Sequence, residues 1–483
     1  MWMKKLVWGF LCPFFLFASI TVQTVSKVCP VYAAQQDNNG GISETSEIIV
    51  RDPVLEDGPD EEDFEPAKKI SLYATAAVLL DGDSGRVLYG KNADTPMAMA
   101  STTKIMTCIL VLENGSLDEV LTVSAYAASM PQVKLNIRKG EEYIVKDLLY
   151  SLMLESHNDS AAALAEHVGR KYLSEELKSK PASDYTLDES RQAVAAFAAL
   201  MNEKAKELGC TDTWFITPNG LDATEEVTLE DGSVVQKEHC TTAAELARIM
   251  AYCIRESPQK EGFLTITRTA SYSFYANRRS FSCMNHNAFL TMMDGALSGK
   301  TGFTNKAGYC YVGALESEGR IFIVALLACG WPNNKTYKWS DTRELMQYGI
   351  DNFFYKSFED EDIAFDESRL SPILVLEGQS QILGENVYTN VAGGESGISG
   401  EKDPMERTQV LLRTDEQIQV TYTVEKQLTA PVEGGTQVGK IEYSINSVVY
   451  KEDPIVTTDA VERIDLRWCV FQILERFFLK SEN

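Results

Sequence analysis

A serine and a lysine one helical turn apart, Ser101 and Lys104, are the first residues whose types and spacing could do chemistry. A helix that begins at Ser101 would place both side chains on one face, with the amine within hydrogen-bond reach of the hydroxyl. A lysine can accept the proton of a serine nucleophile when burial and a nearby cation lower its pKa. Residues 105–112 are almost all apolar, which predicts a buried helix and a desolvated Lys104. A capped helix with a surface lysine is the alternative, because Ser-x-x-Lys occurs by chance in many long chains.

A second pair of polar residues, Ser156 and Asn158, forms the pattern Ser-x-Asn. It follows the strongly apolar helical segment 147–154 and precedes the alanine-rich segment 160–165, which predicts a short loop between two helices. A loop that is held at both ends can present a hydroxyl and an amide inward. Ser156 and Asn158 are therefore candidate site residues.

A third motif is Lys-Thr-Gly at residues 300–302. It is followed by two alternating apolar segments, 309–315 and 321–328, which predict adjacent antiparallel strands. Lys-Thr-Gly on an edge strand supplies a cation, a hydroxyl and a position without a side chain, where a substrate backbone can come close.

The composition excludes some partners. At 483 residues the chain is too long for one ordinary core, which predicts two folded domains plus tails. Its 44% apolar and 10% aromatic residues are typical of a globular protein. The 45 basic against 70 acidic residues give a net charge of -25, which argues against any general affinity for nucleic acid. An anionic substrate would need local basic groups.

The N-terminus is typical of a secretory signal peptide over residues 1–33, in which two lysines precede an apolar run at 6–22 and small residues precede Ala34. We therefore expect the mature protein to be exported to the outer face of the cytoplasmic membrane and the cell wall. An uncleaved N-terminal anchor is the alternative, because the segment between the apolar run and the cleavage site is long. Residues 34–70 are polar and acidic, which predicts a disordered linker.

The cysteines do not indicate a metal site. Two of the ten, Cys12 and Cys29, fall in the leader, and the others lack the paired spacing of metal ligands. Cys108, Cys310 and Cys329 lie in apolar segments, which favours small buried hydrophobes. We expect neither a metal nor a cofactor.

The elements that position the motifs can be assigned from periodicity. Residues 76–80 and 87–89 alternate on either side of a turn rich in Asp and Gly, which predicts a hairpin that delivers the chain to Ser101. Further predicted elements are helices at 191–208, at 242–255 with Thr241 as the cap, and at 338–355, with surface insertions at 171–190 and 225–237.

These elements predict a catalytic domain over residues 71–358. Short alternating strands with Gly-Gly turns predict a small all-β domain over 368–458. The tail 461–483 is helical with a wide apolar arc, and its longest uncharged run is too short to span a bilayer, so we expect it to lie in the membrane interface. A helix packed on the β domain is the alternative.

The three motifs in this order resemble the signature shared by penicillin-binding proteins and class A β-lactamases. Within that group the chain resembles the D-alanyl-D-alanine carboxypeptidases among the low-molecular-mass penicillin-binding proteins, of the S11 peptidase type. The helix start at 158–162, the stretch 218–222, the β domain and the terminal helix also fit. The resemblance covers the chain from about residue 70 onward. It implies an α/β (α+β) domain of the serine β-lactamase and transpeptidase type, with an antiparallel sheet and helices, followed by a small all-β domain.

The resemblance also implies an activity. Peptidoglycan stem peptides ending in D-alanyl-D-alanine would be the substrates, and β-lactams would be inhibitors. Ser101 would attack the carbonyl between the two D-alanines, and Lys104 would accept its proton. Ser156 would relay a proton to the leaving amine, and Asn158 would hold Lys104 and the substrate amide.

In the third motif, the resemblance implies an oxyanion site between the backbone N–H groups of Ser101 and Phe303. Lys300 would supply the positive field that keeps the lysine base partly neutral. Thr301 would bind the terminal carboxylate, and Gly302 would leave room for the substrate backbone.

Two positions depart from the family pattern. His157 stands where the family usually has glycine, and we expect it to lie outside hydrogen-bond reach of the reaction. The family places an arginine shortly after the strands, where this chain offers Lys338, with Lys335 nearby. Lys338 would add a second charge for the carboxylate, but it lacks the bidentate fork of arginine and should bind more weakly.

Three other functions and one other mechanism are the alternatives. A class A β-lactamase would carry a Glu-x-x-Leu-Asn loop between the second and third motifs, and none is present. A D,D-endopeptidase uses the same site with a different leaving group. A wall-binding protein that keeps the fold without turnover would be favoured by a broken motif, and all three motifs are intact. A Ser-His-Asp triad would need a serine-elbow context that His167, His239 and His286 lack.

Overall fold

The computed structural model describes residues 70–228, 232–394 and 409–479. The predicted signal peptide 1–33 and nearly all of the predicted linker 34–70 lie outside these residues. The described strands before residue 330 are β1 Ala76–Asp81, β2 Val87–Lys91, β3 Val120–Thr122, β4 Glu142–Ile144, β5 Thr224–Thr228, β6 Val234–Glu238, β7 Ser271–Ala276, β8 Arg279–Met284, β9 Ala296–Thr304, β10 Gly308–Ser317 and β11 Arg320–Leu327. The helices are α1 Lys104–Asn114, α2 Ala125–Ala128, α3 Val145–Leu154, α4 Asn158–Gly169, α5 Glu175–Ser179, α6 Leu187–Glu207, α7 Ala243–Ala251, α8 Lys260–Arg268, α9 Phe289–Met292 and α10 Tyr337–Asn352.

A five-stranded antiparallel sheet in the order β2-β1-β11-β10-β9 carries the third motif. Successive side chains of a strand point to opposite faces. Ala76, Val78 and Leu80 of β1 therefore pack in the core that also contains α1, α3 and α4, whereas Ala77 and Leu79 pack in the core that contains α10. The predicted hairpin, the adjacent strands after the third motif and the edge position of that motif are confirmed.

Three predicted boundaries are wrong. The helix predicted over 191–208 begins earlier, since α6 spans Leu187–Glu207 and Thr186 caps it within the predicted insertion 171–190. Thr241 does not cap the following helix, because the Thr242 hydroxyl accepts the backbone N–H of Glu245 and α7 begins at Ala243. Thr241 instead shares a hydrogen bond of 2.7 Å with the Thr213 hydroxyl. The helix predicted over 338–355 ends at Asn352, and the residues that follow form a strand.

That strand begins the C-terminal region, whose elements are β12 Phe353–Ser357, β13 Ile373–Leu376, β14 Val387–Thr389, β15 Val391–Gly393, β16 Gln409–Arg413, β17 Gln419–Val424, β18 Gln427–Thr429, β19 Gln437–Ile445, β20 Val448–Thr457 and α11 Leu466–Leu479. β12 pairs with β16, and the larger sheet has the order β15-β20-β19-β17. Buried Ile441, Tyr443 and Ile455 form part of its core. Buried Arg86, in the turn after β1, donates to Leu411 O, which joins the first hairpin to β16.

Helix α11 presents an apolar arc to solvent. Leu466 and Phe477 are each 80% exposed, and Val470, Phe471, Ile473 and Leu474 are also exposed. The β region therefore leaves this arc uncovered. Within the described residues, no helix combines the length and the apolar character that crossing a membrane requires.

Candidate active site

Ser101 lies on a 3-10 turn, Ala100–Thr103, that leads directly into α1. Two hydroxyls hold this turn: Thr102 donates to Met99 O at 2.6 Å and Thr103 donates to Ala100 O at 2.8 Å. Ala100 has a φ of +50°, which is uncommon for a residue with a side chain. The turn brings Ser101 Oγ to 2.8 Å from Lys104 Nζ, so the predicted contact between hydroxyl and amine is present.

Lys104 is fully buried, as the apolar helix predicted, and its Nζ has two carbonyl partners besides Ser101. Asn158 Oδ1 lies at 2.9 Å and Asn219 O at 2.6 Å. Burial and then the charge of Lys300 lower the pKa of Lys104 well below its usual range, against a smaller opposing effect of Asp159. A neutral amine has two N–H groups and one lone pair. The two carbonyls can accept both N–H groups, which leaves the lone pair directed at the Ser101 hydroxyl.

Asn158 is held from both sides. It is the first residue of α4, and its Nδ2 donates to Gln132 O at 3.1 Å and to Pro131 O at 3.3 Å. These bonds determine the amide orientation and turn Oδ1 toward Lys104. The adjacent Asp159 carboxylate accepts the backbone N–H groups of residues 135, 136 and 137, so it anchors the segment to which Asn158 donates.

Ser156 and Lys300 form the second half of the site. Ser156 has a φ of +63°, and its Oγ accepts from Lys300 Nζ at 3.0 Å. Lys300 also donates to Thr301 O at 2.9 Å. Burial lowers the pKa of Lys300 to about 7. The site thus has two hydrogen-bonded groups: Lys104 with Ser101 and Asn158, and Lys300 with Ser156. They are close enough for the charge of Lys300 to act on Lys104.

The edge strand runs against the turn that carries the serine. A Cβ placed on Gly302 would lie 2.9 Å from the backbone nitrogen of Ser101 and 3.0 Å from Met99 O, so only glycine permits this approach. Phe303 is 42% exposed and packs on the rings of Tyr309 and Trp331. These aromatic side chains form one rim of the site.

Lys338 lies in the first turn of α10 and is largely buried. Its Nζ donates to Lys335 O at 2.7 Å and lies 4.8 Å from the Trp339 ring centre and 5.4 Å from that of Tyr309. Tyr309 is the register partner of Phe303, which places Lys338 on the same face of the sheet. The contacts of the described residues do not join Lys338 to Thr301.

His157 points away from the reacting groups. Its Nδ1 lies 2.8 Å from Ser151 Oγ, which in turn shares a hydrogen bond of 2.8 Å with Ser160 Oγ. Among the hydrogen bonds of residues 70–228, 232–394 and 409–479, none joins His157 to Ser101 or Lys104. The position that departs from the family pattern is occupied by a side chain that supports the loop between α3 and α4.

The carbonyl of Asn219 is a site group that sequence reasoning missed. It is a backbone atom, so the identity of the side chain carries no signal for it. Gly220 is the available signal: its φ is +82°, and a Cβ there would lie 1.9 Å from Ala100 O. No group of three or more His, Cys, Asp or Glu side chains in the described part of the chain could hold a metal ion.

The chain matches two family models. One, described as D-alanyl-D-alanine carboxypeptidase, matches residues 63–172 and 192–329. The other, described as the C-terminal domain of penicillin-binding protein 5, matches residues 412–463.

The chain is also similar to individual proteins. It is 25% identical over 412 residues to D-alanyl-D-alanine carboxypeptidase DacF of Bacillus subtilis, over 83% of this chain and 89% of DacF. It is 27% identical over 406 residues to DacC of Escherichia coli, over 81% of this chain and 85% of DacC. The structure of D-alanyl-D-alanine carboxypeptidase DacD from Francisella tularensis matches with a TM-score of 0.55 at 20% identity, over 84% of this chain and 98% of that one. The predicted fold class is confirmed.

Proposed function

Since this chain belongs to the D-alanyl-D-alanine carboxypeptidase family of serine-type enzymes, we propose that it removes the terminal D-alanine from peptidoglycan stem peptides through an acyl-enzyme on Ser101. The observation that carries this proposal is the environment of Lys104. A buried amine with two carbonyl acceptors and a serine hydroxyl at 2.8 Å has the geometry of a general base beside its nucleophile.

In the acylation step, Ser101 Oγ bonds to the carbonyl carbon between the two D-alanines while Lys104 Nζ accepts the hydroxyl proton. The resulting oxyanion is stabilised by the backbone N–H groups of Ser101 and Phe303, and a donor of this kind contributes on the order of 3 kcal/mol. The C–N bond then breaks. The Ser156 hydroxyl, which Lys300 contacts at 3.0 Å, passes its proton to the leaving amine and takes up the proton that Lys104 had accepted, so Lys104 is neutral again.

In the deacylation step, water replaces the departed D-alanine. Lys104 accepts a proton from this water as the water oxygen bonds to the ester carbonyl carbon. The ester C–O bond then breaks as Lys104 gives that proton to Ser101 Oγ, which restores the hydroxyl and the neutral amine. The peptide leaves one residue shorter. A β-lactam presents a similar carbonyl and carboxylate, so we propose that β-lactams acylate the same serine and act as inhibitors.

The substrate is recognised by its terminal carboxylate. In a protein with a net charge of -25, an anionic group needs a local cation, and Lys300 is a nearly fully buried amine beside Ser156. Its charge and the Thr301 hydroxyl would bind the carboxylate of the leaving D-alanine. Lys338 would add a weaker second charge from the same face of the sheet as Phe303.

We also propose that the protein is exported and that α11 holds it at the outer face of the cytoplasmic membrane, beside the cell wall. The leader pattern at residues 1–33 supports export. The exposed apolar arc of α11 is the surface that an interfacial helix buries in lipid.

The reaction can be tested with a diacyl-Lys-D-Ala-D-Ala peptide and its C-terminal amide. We expect release of one D-alanine per free-acid peptide and much slower cleavage of the amide, with no turnover by Ser101→Ala. Equal cleavage of the two peptides would contradict the carboxylate argument and move the assignment to a D,D-endopeptidase. Failure to cleave either peptide or to react with penicillin would favour a wall-binding protein.

A further inference from the structure

The loop at residues 216–221 supplies Lys104 with the Asn219 carbonyl, so its position affects the base directly. Asn219 O accepts from Lys104 Nζ at 2.6 Å. The same loop touches the turn that carries the nucleophile, because the Cβ position of Gly220 is 1.9 Å from Ala100 O. Pro218 O accepts from the Thr107 hydroxyl at 2.6 Å. A small displacement of this loop would change the hydrogen bonds of the amine.

His239 lies behind both the loop and the turn, in a buried position. Its Nδ1 accepts the backbone N–H of Ile216 at 3.0 Å and that of Thr217 at 3.4 Å. Its Nε2 lies 2.8 Å from Thr103 Oγ1. The imidazole thus contacts the two segments that carry the reacting groups, although it touches neither Ser101 nor Lys104.

The proton positions follow from the partners. A backbone N–H can only donate, so Nδ1 is the unprotonated nitrogen and Nε2 carries the proton. The Thr103 hydroxyl donates to Ala100 O at 2.8 Å, so its oxygen accepts from His239 Nε2. Burial and then the charge of Lys104 lower the pKa of His239 to about 3, which keeps the ring neutral. The result is a continuous chain of hydrogen bonds from the loop, through His239 and Thr103, to Ala100.

We propose that His239 is a positioning residue for the base. Through its contact with Thr103 it fixes the loop at residues 216–221 relative to the turn that carries Ser101, and so keeps the Asn219 carbonyl within hydrogen-bond distance of Lys104. This inference rests on the proposed function. The carbonyl of Asn158 is on a side chain and is held by other bonds, whereas that of Asn219 belongs to the backbone and moves with its loop. Without Asn219 O, the amine can rotate and its lone pair no longer faces the Ser101 hydroxyl.

This role predicts a specific kinetic effect. Positioning of the base governs the rate at which bound penicillin acylates the enzyme. Binding of the penicillin carboxylate depends on Lys300 and Thr301 of β9, which lie outside the chain of hydrogen bonds. Loss of the His239–Thr103 contact should therefore lower the saturating acylation rate and leave the half-saturating penicillin concentration nearly unchanged.

The test uses three single variants of the full mature chain. Thr103→Val removes only the hydroxyl, and Thr103→Ser keeps it as the matched control. His239→Asn offers an oxygen to the loop N–H groups but is too short to reach Thr103. Acylation by a fluorescent penicillin is followed at several concentrations, and thermal unfolding is measured in parallel.

We expect Thr103→Val and His239→Asn to slow saturating acylation by at least ~10-fold, since misplacement by a fraction of an ångström to 1 Å has effects of this size and larger. Thr103→Ser should stay within about threefold of wild type. The double variant Thr103→Val/His239→Asn should be no slower than the slower single variant, because both single variants break the His239–Thr103 contact. Thr103→Val also removes the hydrogen bond to Ala100 O, so we expect it to be the slower of the two.

Wild-type acylation rates in Thr103→Val would overturn the inference, as would equal losses in Thr103→Val and Thr103→Ser or additive losses in the double variant. If His239→Asn does not fold, the comparison of the acylation rates of Thr103→Val and Thr103→Ser tests the inference by itself. A wild-type protein that penicillin fails to acylate would contradict the proposed function instead, so the two failures are distinguishable.

Discussion

Lys104 and Lys300 are buried amines of one site, and the pKa of each is lower than that of an ordinary lysine. The proposed mechanism needs Lys104 neutral and Lys300 charged. Acylation should therefore rise with pH as Lys104 loses its proton, and carboxylate binding should fall as pH rises through about 7 and free Lys300 loses its proton. Because the two lysines interact, the apparent pKa values of the rising and falling sides of the pH profile belong to the pair of lysines and not to either one alone.

Removing one charge should move the acid limb in a known direction. The charge of Lys300 lowers the pKa of Lys104, so Lys300→Met should raise that pKa and shift the acid limb of penicillin acylation to higher pH. Rates measured from pH 5 to 10 would show the shift. Lys306→Met is the control, because Lys306 is exposed in the turn that follows β9 and pairs with Glu238. An acid limb that does not move in Lys300→Met would remove Lys300 from the electrostatic role.

Lys338→Met tests the amine with little change in side-chain volume, because methionine is similar in length and lacks only the charge that lies near the Tyr309 and Trp339 rings. Lys338→Met should raise the KM for diacyl-Lys-D-Ala-D-Ala by about 10-fold, the equivalent of about 1.4 kcal/mol. Acylation by penicillin should change far less, and Lys338→Arg should be neutral or better. An unchanged KM in Lys338→Met would show that the amine does not bind the substrate carboxylate and only donates a hydrogen bond to Lys335 O.

At the residue scale, motif spacing was sufficient to predict the side chains that meet at Ser101. It could not predict the Asn219 carbonyl or the link through His239. The first is a backbone atom, whose position no side-chain identity encodes. The second joins the His239 side chain to the Thr103 hydroxyl and to backbone N–H groups of the loop at residues 216–221, and Thr103 is distant from His239 in sequence. His239 was considered only as a member of a triad, a role that its contact with Thr103 does not fit.

At the element scale, Glu166 of α4 joins that helix to α2. Its carboxyl accepts from the hydroxyl of Ser124, the N-cap of α2, at 2.7 and 2.8 Å. Burial raises the pKa of Glu166 to about 7, so the folded state favours the protonated acid. The stabilising effect is fully present below the unfolded pKa of 4.5 and is lost as pH rises through about 7.

Glu166→Gln should remove this pH dependence while it keeps an oxygen for Ser124. The ionisation of Glu166 should lower the free energy of unfolding of the wild-type protein by about 3 kcal/mol between pH 4.5 and 8. The free energy of unfolding of the variant should lack this decrease. Thermal or urea unfolding of both proteins across this range measures it. Parallel stability curves for the two proteins would show that Glu166 ionises in the folded state without cost.

Element predictions succeeded where the signal is local. The alternation of apolar residues identified the first hairpin and the two strands after the third motif. Each of these strands either pairs with a strand close to it in sequence or is strongly apolar itself. The predicted C-terminal end of the helix over 338–355 is wrong, because residues 353–357 form a strand that pairs with β16. That pairing is long-range, and no local pattern in the helix reports it.

At the scale of the whole molecule, our proposal assigns membrane attachment to α11. Deleting residues 466–483 should release the mature protein from membranes and leave penicillin binding intact, because this helix is exposed and lies outside the hydrogen bonds of the site. Sedimentation with membranes and labelling with penicillin measure the two properties. A double variant, Phe471→Glu/Phe477→Glu, should release the protein similarly.

The control for that experiment is Glu475→Gln, which alters charge without removing apolar surface and should remain bound. A truncated protein that stays with the membrane would show that the leader is retained as an anchor. Local patterns could predict a separate all-β region, but not the contact of Arg86 with β16, because that contact joins segments far apart in the chain.

The most direct test of the central claim is mass spectrometry of the intact mature protein after exposure to penicillin, followed by peptide mapping. We predict one penicilloyl adduct, on Ser101, none in Ser101→Ala, and acylation of Lys104→Ala slowed by at least the ~10²–10⁴ that is typical of a lost general base. Full labelling of Ser101→Ala, or an adduct on another residue, would contradict the assignment of Ser101 as the nucleophile.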